Sequence, residues 1–197
     1  ERIIDNLTKF DIHQEERETI QDFARRLENE TDPFEALFVV LNRNHTTDLP
    51  TFMDNINRVS TFQYKNERLY QREHPYHDLS KTIMEHIIQE EQEIAVDFKE
   101  DQVELRDIIT NKTYTELGFK TLLGFPLFLD KELFGCVIFV SEKDLTDDKN
   151  YITLKIAAKI LEFRLSTIYF QNSLRTHRNI LQVAINRLQD GIFYYEM

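Results

Sequence analysis

The chain has 197 residues, 41% hydrophobic and 12% aromatic, enough to bury the core of one ordinary domain with sequence left over. Its net charge of −11 disfavours binding to nucleic-acid phosphates and direct contact with anionic membrane surfaces. A single cysteine, Cys136, excludes an internal disulfide and a multi-thiolate metal site, and no apolar run reaches the roughly 20 residues of a membrane span. We therefore expect a cytoplasmic location, with any membrane tether outside this stretch of sequence.

The N-terminal forty residues predict two helical pieces and then a buried strand. Apolar side chains recur at a spacing of three to four within residues 1–13, and again at Ile20, Phe23 and Leu27. The run from Phe34 to Leu41 has the length and composition of a buried strand, and a helix over the same residues is the alternative.

The middle of the chain gives weaker patterns. Residues 61–70 alternate enough to predict a short strand with one wet face, and residues 72–77 predict a loop. A capped helix is expected from about 80 to 92, followed by a short strand at 94–98. Residues 99–116 are polar and give no clear pattern.

The clearest pattern is a hairpin that leads into a long helix. Two apolar runs, Thr121 to Leu129 and Leu133 to Val140, flank the polar corner Asp130-Lys131-Glu132. Both runs are apolar on nearly every residue, so we expect both faces of this hairpin to be covered. After a charged turn in which Thr146 can cap a helix, nothing breaks a helical pattern as far as about Gln189.

That last helix has two apolar stripes. The first would pack on the globular body and consists of Leu154, Ala158, Leu161, Leu165 and Ile168. The second follows heptad spacing and consists of Ile160, Phe163, Phe170, Leu174, His177, Leu181 and Leu188. Because the second stripe is not needed for packing on the body, it predicts a parallel homodimer through this helix.

The hairpin resembles the C-terminal half of GAF domains, the sensor modules of bacterial-type signalling proteins. In that family a Leu-Gly-hydrophobic segment leads into a strand with a hydrophobic-Pro-Leu step, and the next strand opens with hydrophobic-Gly-hydrophobic. The matching residues here are Leu117-Gly118-Phe119, Phe125-Pro126-Leu127 and Phe134-Gly135-Cys136. A PAS domain, or another sensor fold with the same type of sheet, is the alternative.

The resemblance implies an α+β fold with a central antiparallel sheet, helices packed on one face, pocket-forming segments on the other, and a long C-terminal signalling helix. It divides the chain into an N-terminal signalling helix (1–13), a GAF-like sensor domain (14–170) and a coiled-coil linker helix (171–190). Residues 191–197 would begin a PAS-like domain, because Ile180 to Tyr195 resembles the start of that fold, a helix followed by a strand that Asp190-Gly191 introduces.

The resemblance also implies a regulatory sensor and not an enzyme. Such a dimer would transmit small-ligand or partner binding through coiled-coil helices to an output domain in the same chain, such as a histidine kinase or a cyclic-di-GMP enzyme. A ligand-free, degenerate GAF domain acting as a dimerisation spacer is the alternative. The ligand or cofactor is not identified, and family topology places near it Tyr64, Tyr70, Tyr76, His77, His86 and Asp97.

Motifs that usually announce catalysis are absent from the sequence, including a Gly-rich phosphate loop, a Gly-x-Ser-x-Gly elbow and His-Glu-x-x-His. His74 and His77 have a spacing that suits one metal on a helix, but Pro75 between them disfavours a helix, so no metal site is predicted. Cys136 lies in an apolar strand and is predicted to be core; a redox sensor, or a bilin attachment point as in photoreceptor GAF domains, is the alternative.

Overall fold

The computed structural model describes residues 15–30, 34–42, 58–75, 83–97 and 119–195. The predicted helical piece at residues 1–13 lies outside these ranges. The elements in chain order are α1 (Glu16–Glu30), β1 (Ala36–Asn42), β2 (Arg58–Lys65), β3 (Arg68–Pro75), α2 (Ile83–Glu90), β4 (Ile94–Asp97), β5 (Thr121–Leu129), β6 (Glu132–Ser141) and α3 (Asp148–Tyr195).

The six strands form one sheet in the order β3-β2-β1-β6-β5-β4, and each neighbouring pair is antiparallel. The predicted hairpin at β5 and β6 is confirmed, with its turn at Asp130 and Lys131. Both turn residues have positive φ, at 49° and 71°, as a two-residue turn matched to the strand twist requires. The buried strand predicted at Phe34 to Leu41 is confirmed as β1.

The prediction for residues 61–77 is wrong in its boundaries. One strand was predicted, but a second two-residue turn at Asn66 and Glu67 divides the segment into the hairpin of β2 and β3. Residues 72–75, predicted as a loop, belong to β3. The reason is that β3 ends the described sheet and is exposed on both faces from residue 70 to residue 73, so it lacks the alternation by which a half-buried strand is recognised.

Helices α1 and α3 pack on one face of the sheet, the α1/α3 face. The stripe predicted to pack on the body is confirmed, because Leu154, Ala158, Leu161, Leu165 and Ile168 are all buried. The first four of them join a core cluster that includes Ile20, Phe23 and Leu27 of α1 and the strand residues Leu37, Val39, Phe62, Phe125, Val137 and Phe139.

Helix α2 packs on the opposite face, the α2 face, so helices cover both sides of the sheet and not one only. Its buried residues Ile83, Met84, Ile87 and Ile88 contact a second core cluster that includes Phe38, Val40, Val59, Leu122, Cys136 and Ile138. The helix approaches β5 closely at Gly124, where an added Cβ would lie 2.3 Å from Cδ1 of Ile87. Glycine at this position therefore allows α2 to lie flat on the sheet.

The N-cap of helix α3 lies one residue after the predicted cap, and the helix continues further than predicted. Asp147, and not Thr146, caps it: Oδ1 of Asp147 accepts the backbone N–H groups of Lys149 and Asn150, each at 3.1 Å. The helix continues through Tyr195, so the strand expected after Asp190-Gly191 is wrong as far as Tyr195, and a following PAS-like domain stays a prediction. No helix among the described residues has both the length and the apolar character to cross a membrane.

Candidate ligand face and signalling helix

Of the six residues predicted near a ligand, the four that the structure describes do not lie together. Tyr70 belongs to β3 on the α2 face and is 55% exposed, and His86 lies half-buried on α2 itself. Tyr76 and His77 lie outside the described residues. Within the part of the chain that the structure describes, the α2 face therefore retains Tyr70 and His86 from the predicted set.

Tyr64 and Asp97 lie on the other side of the sheet. Tyr64 is buried in the α1/α3 face, and its hydroxyl donates a 2.6 Å hydrogen bond to Oε2 of Glu28. Asp97 follows Val96, which is buried on the α2 face, so strand alternation directs Asp97 away from that face. Tyr64 and Asp97 thus do not share a face with Tyr70 and His86, because the sequence pattern does not fix which face each strand position occupies, and their place near a ligand stays a prediction.

The hydrogen bond of Tyr64 gives a pH-dependent prediction. Burial and the bond to Glu28 raise the pKa of Tyr64 above its usual range. Tyr64→Phe should lower the free energy of unfolding by about 1 kcal/mol near neutral pH. Above about pH 10 an unfolded tyrosine ionises while folded Tyr64 stays protonated, so this contribution is lost and the two proteins converge. Urea unfolding at pH 8 and pH 11 measures the difference; a gap that widens with pH would contradict it.

Cys136 lies fully buried in the centre of the α2 face cluster. Burial raises the pKa of its thiol to about 12, so the reactive thiolate is scarce at neutral pH. This placement favours the core interpretation of Cys136 over a redox sensor or a bilin attachment point.

A polar contact that the sequence did not predict connects the α2 side of the domain to α3. Glu93 lies in the short connection between α2 and β4, and its carboxylate accepts hydrogen bonds from the hydroxyl of Tyr151 and from Nζ of Lys155 at 2.9 Å. Burial opposes ionisation of Glu93, but the bonds from Lys155 and Tyr151 outweigh it and lower the pKa. One carboxylate thus connects the segment after α2 to the first turns of α3.

A groove at the open edge of β3 was also missed by the sequence reasoning. It has a volume of about 450 Å³ and is lined by Arg17, Leu69, Tyr70, Gln71, Arg72 and Glu73. No group of three or more metal-ligating side chains occurs within the described ranges. His74 is in β3, which removes the helical geometry that a His74 and His77 pair would need.

The heptad stripe of α3 is largely exposed. Phe163, Phe170, Leu174 and Leu181 are 65%, 47%, 70% and 62% exposed, and His177 is exposed as well. Ile160 is the exception: it is partly buried and packs against the α1/α3 face cluster, and its place in the seam stays a prediction. The side chain of Leu188 lies outside those that the structure describes.

Solved structures similar to this chain include several sensor domains. The phycocyanobilin-bound GAF domain from a cyanobacterial phytochrome matches with a TM-score of 0.59 and 12% identity over 86% of this chain and 95% of that one. The GAF domain of a two-component sensor histidine kinase from Bacillus halodurans matches with a TM-score of 0.54 and 11% identity over 77% and 94%.

An enzyme is also among the similar structures. Free methionine-R-sulfoxide reductase from Neisseria meningitidis matches with a TM-score of 0.56 and 14% identity over 85% of this chain and 86% of that one. No protein-family model and no curated protein matches the sequence. At these identities the likeness shows the fold.

Proposed function

We propose that this chain, which has the GAF fold, is a dimeric regulatory sensor domain of a multidomain signalling protein. The observation that carries the proposal is the division of α3 into two stripes, one packed on the sheet and one exposed along the same helix. The exposed stripe extends beyond Tyr169, whose ring packs on Phe134 of the body, through Leu174 to Leu181. Apolar side chains at heptad spacing on an otherwise solvated helix suit a partner helix.

The partner that fits is the same helix of a second copy, in parallel. Parallel pairing places each heptad position opposite its own equivalent, so Phe170, Leu174 and Leu181 would each pack against their symmetry mates. Ile156 is 39% exposed and lies two heptads before Phe170, which extends the stripe toward the start of α3. We therefore place the seam from Ile156 onward.

Signal transfer would begin on the α2 face and end in this seam. A ligand or partner that moves α2 changes the position of Glu93, which holds Tyr151 and Lys155 of α3. Because α3 is one continuous helix, a rotation or shift at Tyr151 is carried along it to the seam. The output domain would then respond to which of two seam packings is populated.

A thiol reductase activity like that of the similar reductase has no support in this sequence. Reduction of a sulfoxide by a protein thiol requires an accessible thiolate, and Cys136 is the one cysteine of the chain. It is fully buried and its pKa is raised to about 12. We therefore propose a binding role and place Tyr70, His86, Tyr76 and His77 nearest the ligand.

The seam is tested by sedimentation of a double variant, Leu174→Asp with Leu181→Asp. The dimer would lose four buried leucines worth about 1.5–3 kcal/mol each, so its dissociation constant should rise at least about 1,000-fold. The matched control is Asn172→Asp with Asn179→Asp, which introduces the same two negative charges seven residues apart on the outer face of the helix. The control should sediment as the wild type does. Equal effects of the two pairs of substitutions would contradict a seam at Leu174 and Leu181.

Ligand binding is tested separately, by native mass spectrometry of the purified chain. A co-purified small molecule that is lost from a variant carrying Tyr70→Ala and His86→Ala supports the sensor. A dimer that carries no small molecule, and retains none from an extract of its host cells, supports the ligand-free spacer instead.

A further inference from the structure

We infer that the open edge of β3 is a second self-association surface, at which two copies of this chain pair their β3 strands antiparallel to form one continuous sheet. This surface is separate from the α3 seam and does not depend on it. In the described part of the sheet β3 is the terminal strand, and its residues 70–73 are exposed. An exposed edge strand is a template for pairing with another strand.

The register of the β2–β3 hairpin identifies which backbone groups face outward. Lys65 pairs with Arg68 across a two-residue turn, so this pair is hydrogen-bonded and the pattern then alternates along β3. Leu69, Gln71 and Glu73 therefore direct their N–H and C=O groups away from β2. The carbonyl of Leu69 agrees with this assignment, because it accepts a hydrogen bond from Nη2 of Arg17 at 3.5 Å.

Pairing centred on Gln71 is self-complementary. In that register Gln71 lies opposite Gln71 of the second copy, and Leu69 lies opposite Glu73, so every outward-facing residue meets an outward-facing residue. The two-fold axis is then perpendicular to the sheet, so the α1/α3 faces of the two copies lie on the same side. The arrangement is an isologous interface, in which each contact occurs twice.

Charge selects this register over its neighbours. Glu73 of one copy approaches Leu69 of the other, where Arg17 is already held, so Arg17 and Glu73 can form an ion pair twice. On the other face Tyr70 lies opposite Arg72, a pairing of a ring with a cation. Centring on Tyr70 would place Arg68 against Arg72, and centring on Arg72 would place Arg72 against itself, so both are repulsive.

The interface between the two β3 strands is small, so its affinity is expected to be low. A ladder of five residues buries less than the roughly 1,200 Å² of a standard specific interface, so the isolated contact is weak. Dimers already joined through α3 would carry two such edges each, and linked copies raise the effective concentration for the second contact. The expected product is a chain or cluster of sensor dimers.

Cysteine cross-linking tests the register directly, in the Leu174→Asp and Leu181→Asp background in which the helix seam cannot join the copies. Gln71→Cys should give a disulfide-linked dimer under mild oxidation, because a hydrogen-bonded pair has a Cα–Cα distance of about 5.5 Å, within disulfide range. Glu73→Cys is the matched control: its two copies would lie four residues apart along the ladder, about 13 Å. Native Cys136 is buried and does not interfere.

A charge exchange provides the second readout. Glu73→Arg added to the Gln71→Cys protein should reduce the cross-linking yield about tenfold, because it replaces two ion pairs by two repulsions. Adding Arg17→Glu should restore it to within about threefold of the starting yield. The inference would be overturned by any one of three results. These are no cross-link from Gln71→Cys, equal yields at positions 71 and 73, and a charge exchange that does not restore the yield.

Discussion

Asp22→Ala is expected to lower the free energy of unfolding by about 3 kcal/mol, the low end of the range for breaking a buried ion pair. Arg164 of α3 is fully buried between the helices, and its Nη1 lies 3.4 Å from Oδ2 of Asp22 on α1. Burial lowers the pKa of Arg164, and the Asp22 charge opposes that shift. At neutral pH the guanidinium stays protonated, so removing the carboxylate leaves a buried cation with Arg26 nearby.

A comparison with Arg164→Met identifies the cause of the stability loss in Asp22→Ala. This variant removes the buried charge along with its desolvation and replaces it by an apolar side chain, so it should lower stability by no more than about 1 kcal/mol. Glu18→Ala, an exposed change on the same helix, should stay within about 0.5 kcal/mol of the wild type. Urea unfolding at pH 7 measures all three. A larger loss for Arg164→Met than for Asp22→Ala would show that packing of the Arg164 side chain, and not its ion pair with Asp22, holds α1 to α3.

Gly135→Ala is expected to lower the free energy of unfolding by about 2–3 kcal/mol. Gly135 lies in β6 opposite Leu41 of β1, and a Cβ added there would lie 2.3 Å from the backbone carbonyl oxygen of Val40 and 2.8 Å from Cδ2 of Leu41. Val40 belongs to a strand with neighbours on both sides, so its carbonyl cannot move without disturbing the sheet.

Gly124→Ala provides the matched comparison in the same hairpin. There the nearest atom to an added Cβ is Cδ1 of Ile87, at 2.3 Å, which is the end of a side chain that can rotate, although Cγ2 of Ile94 at 2.9 Å is also close. We expect a smaller loss, about 1 kcal/mol. The denaturant midpoints of Gly124→Ala and Gly135→Ala show which variant loses more stability. A loss at Gly124 equal to that at Gly135 would mean that α2 is held as rigidly as the strands.

The parts of the fold with strong local patterns were predictable from the sequence. The hairpin of β5 and β6 is apolar on nearly every residue and has its polar corner in the turn, so its bounds followed directly. The body-facing stripe of α3 was predictable because helical periodicity persists over many turns. In contrast, β3 carries Arg68, Arg72 and Glu73 on an edge strand, where burial imposes no alternation.

The site was harder to predict than the fold, because the face of the sheet on which a side chain lies depends on the register of its strand. Tyr64 and Asp97 each sit in a correctly predicted strand region, yet a shift of one position moves a side chain to the opposite face of the sheet. Arg164 shows the same limit: a basic residue inside an apolar stripe suggests a solvated position, and only the placement of Asp22 on a helix 142 residues away accounts for its burial. Contacts such as Glu93 to Lys155 likewise join segments whose sequence gives no pairing signal.

The parallel seam of α3 is the central claim, and cysteine cross-linking at Leu174 tests it most directly. In a parallel, in-register pair the two Leu174→Cys side chains face each other across the seam within disulfide range, whereas two Asn172→Cys side chains lie on outer faces. We predict rapid disulfide-linked dimer formation for Leu174→Cys at micromolar concentration and none for Asn172→Cys. Equal cross-linking at the two positions, or none at Leu174→Cys, would contradict the account.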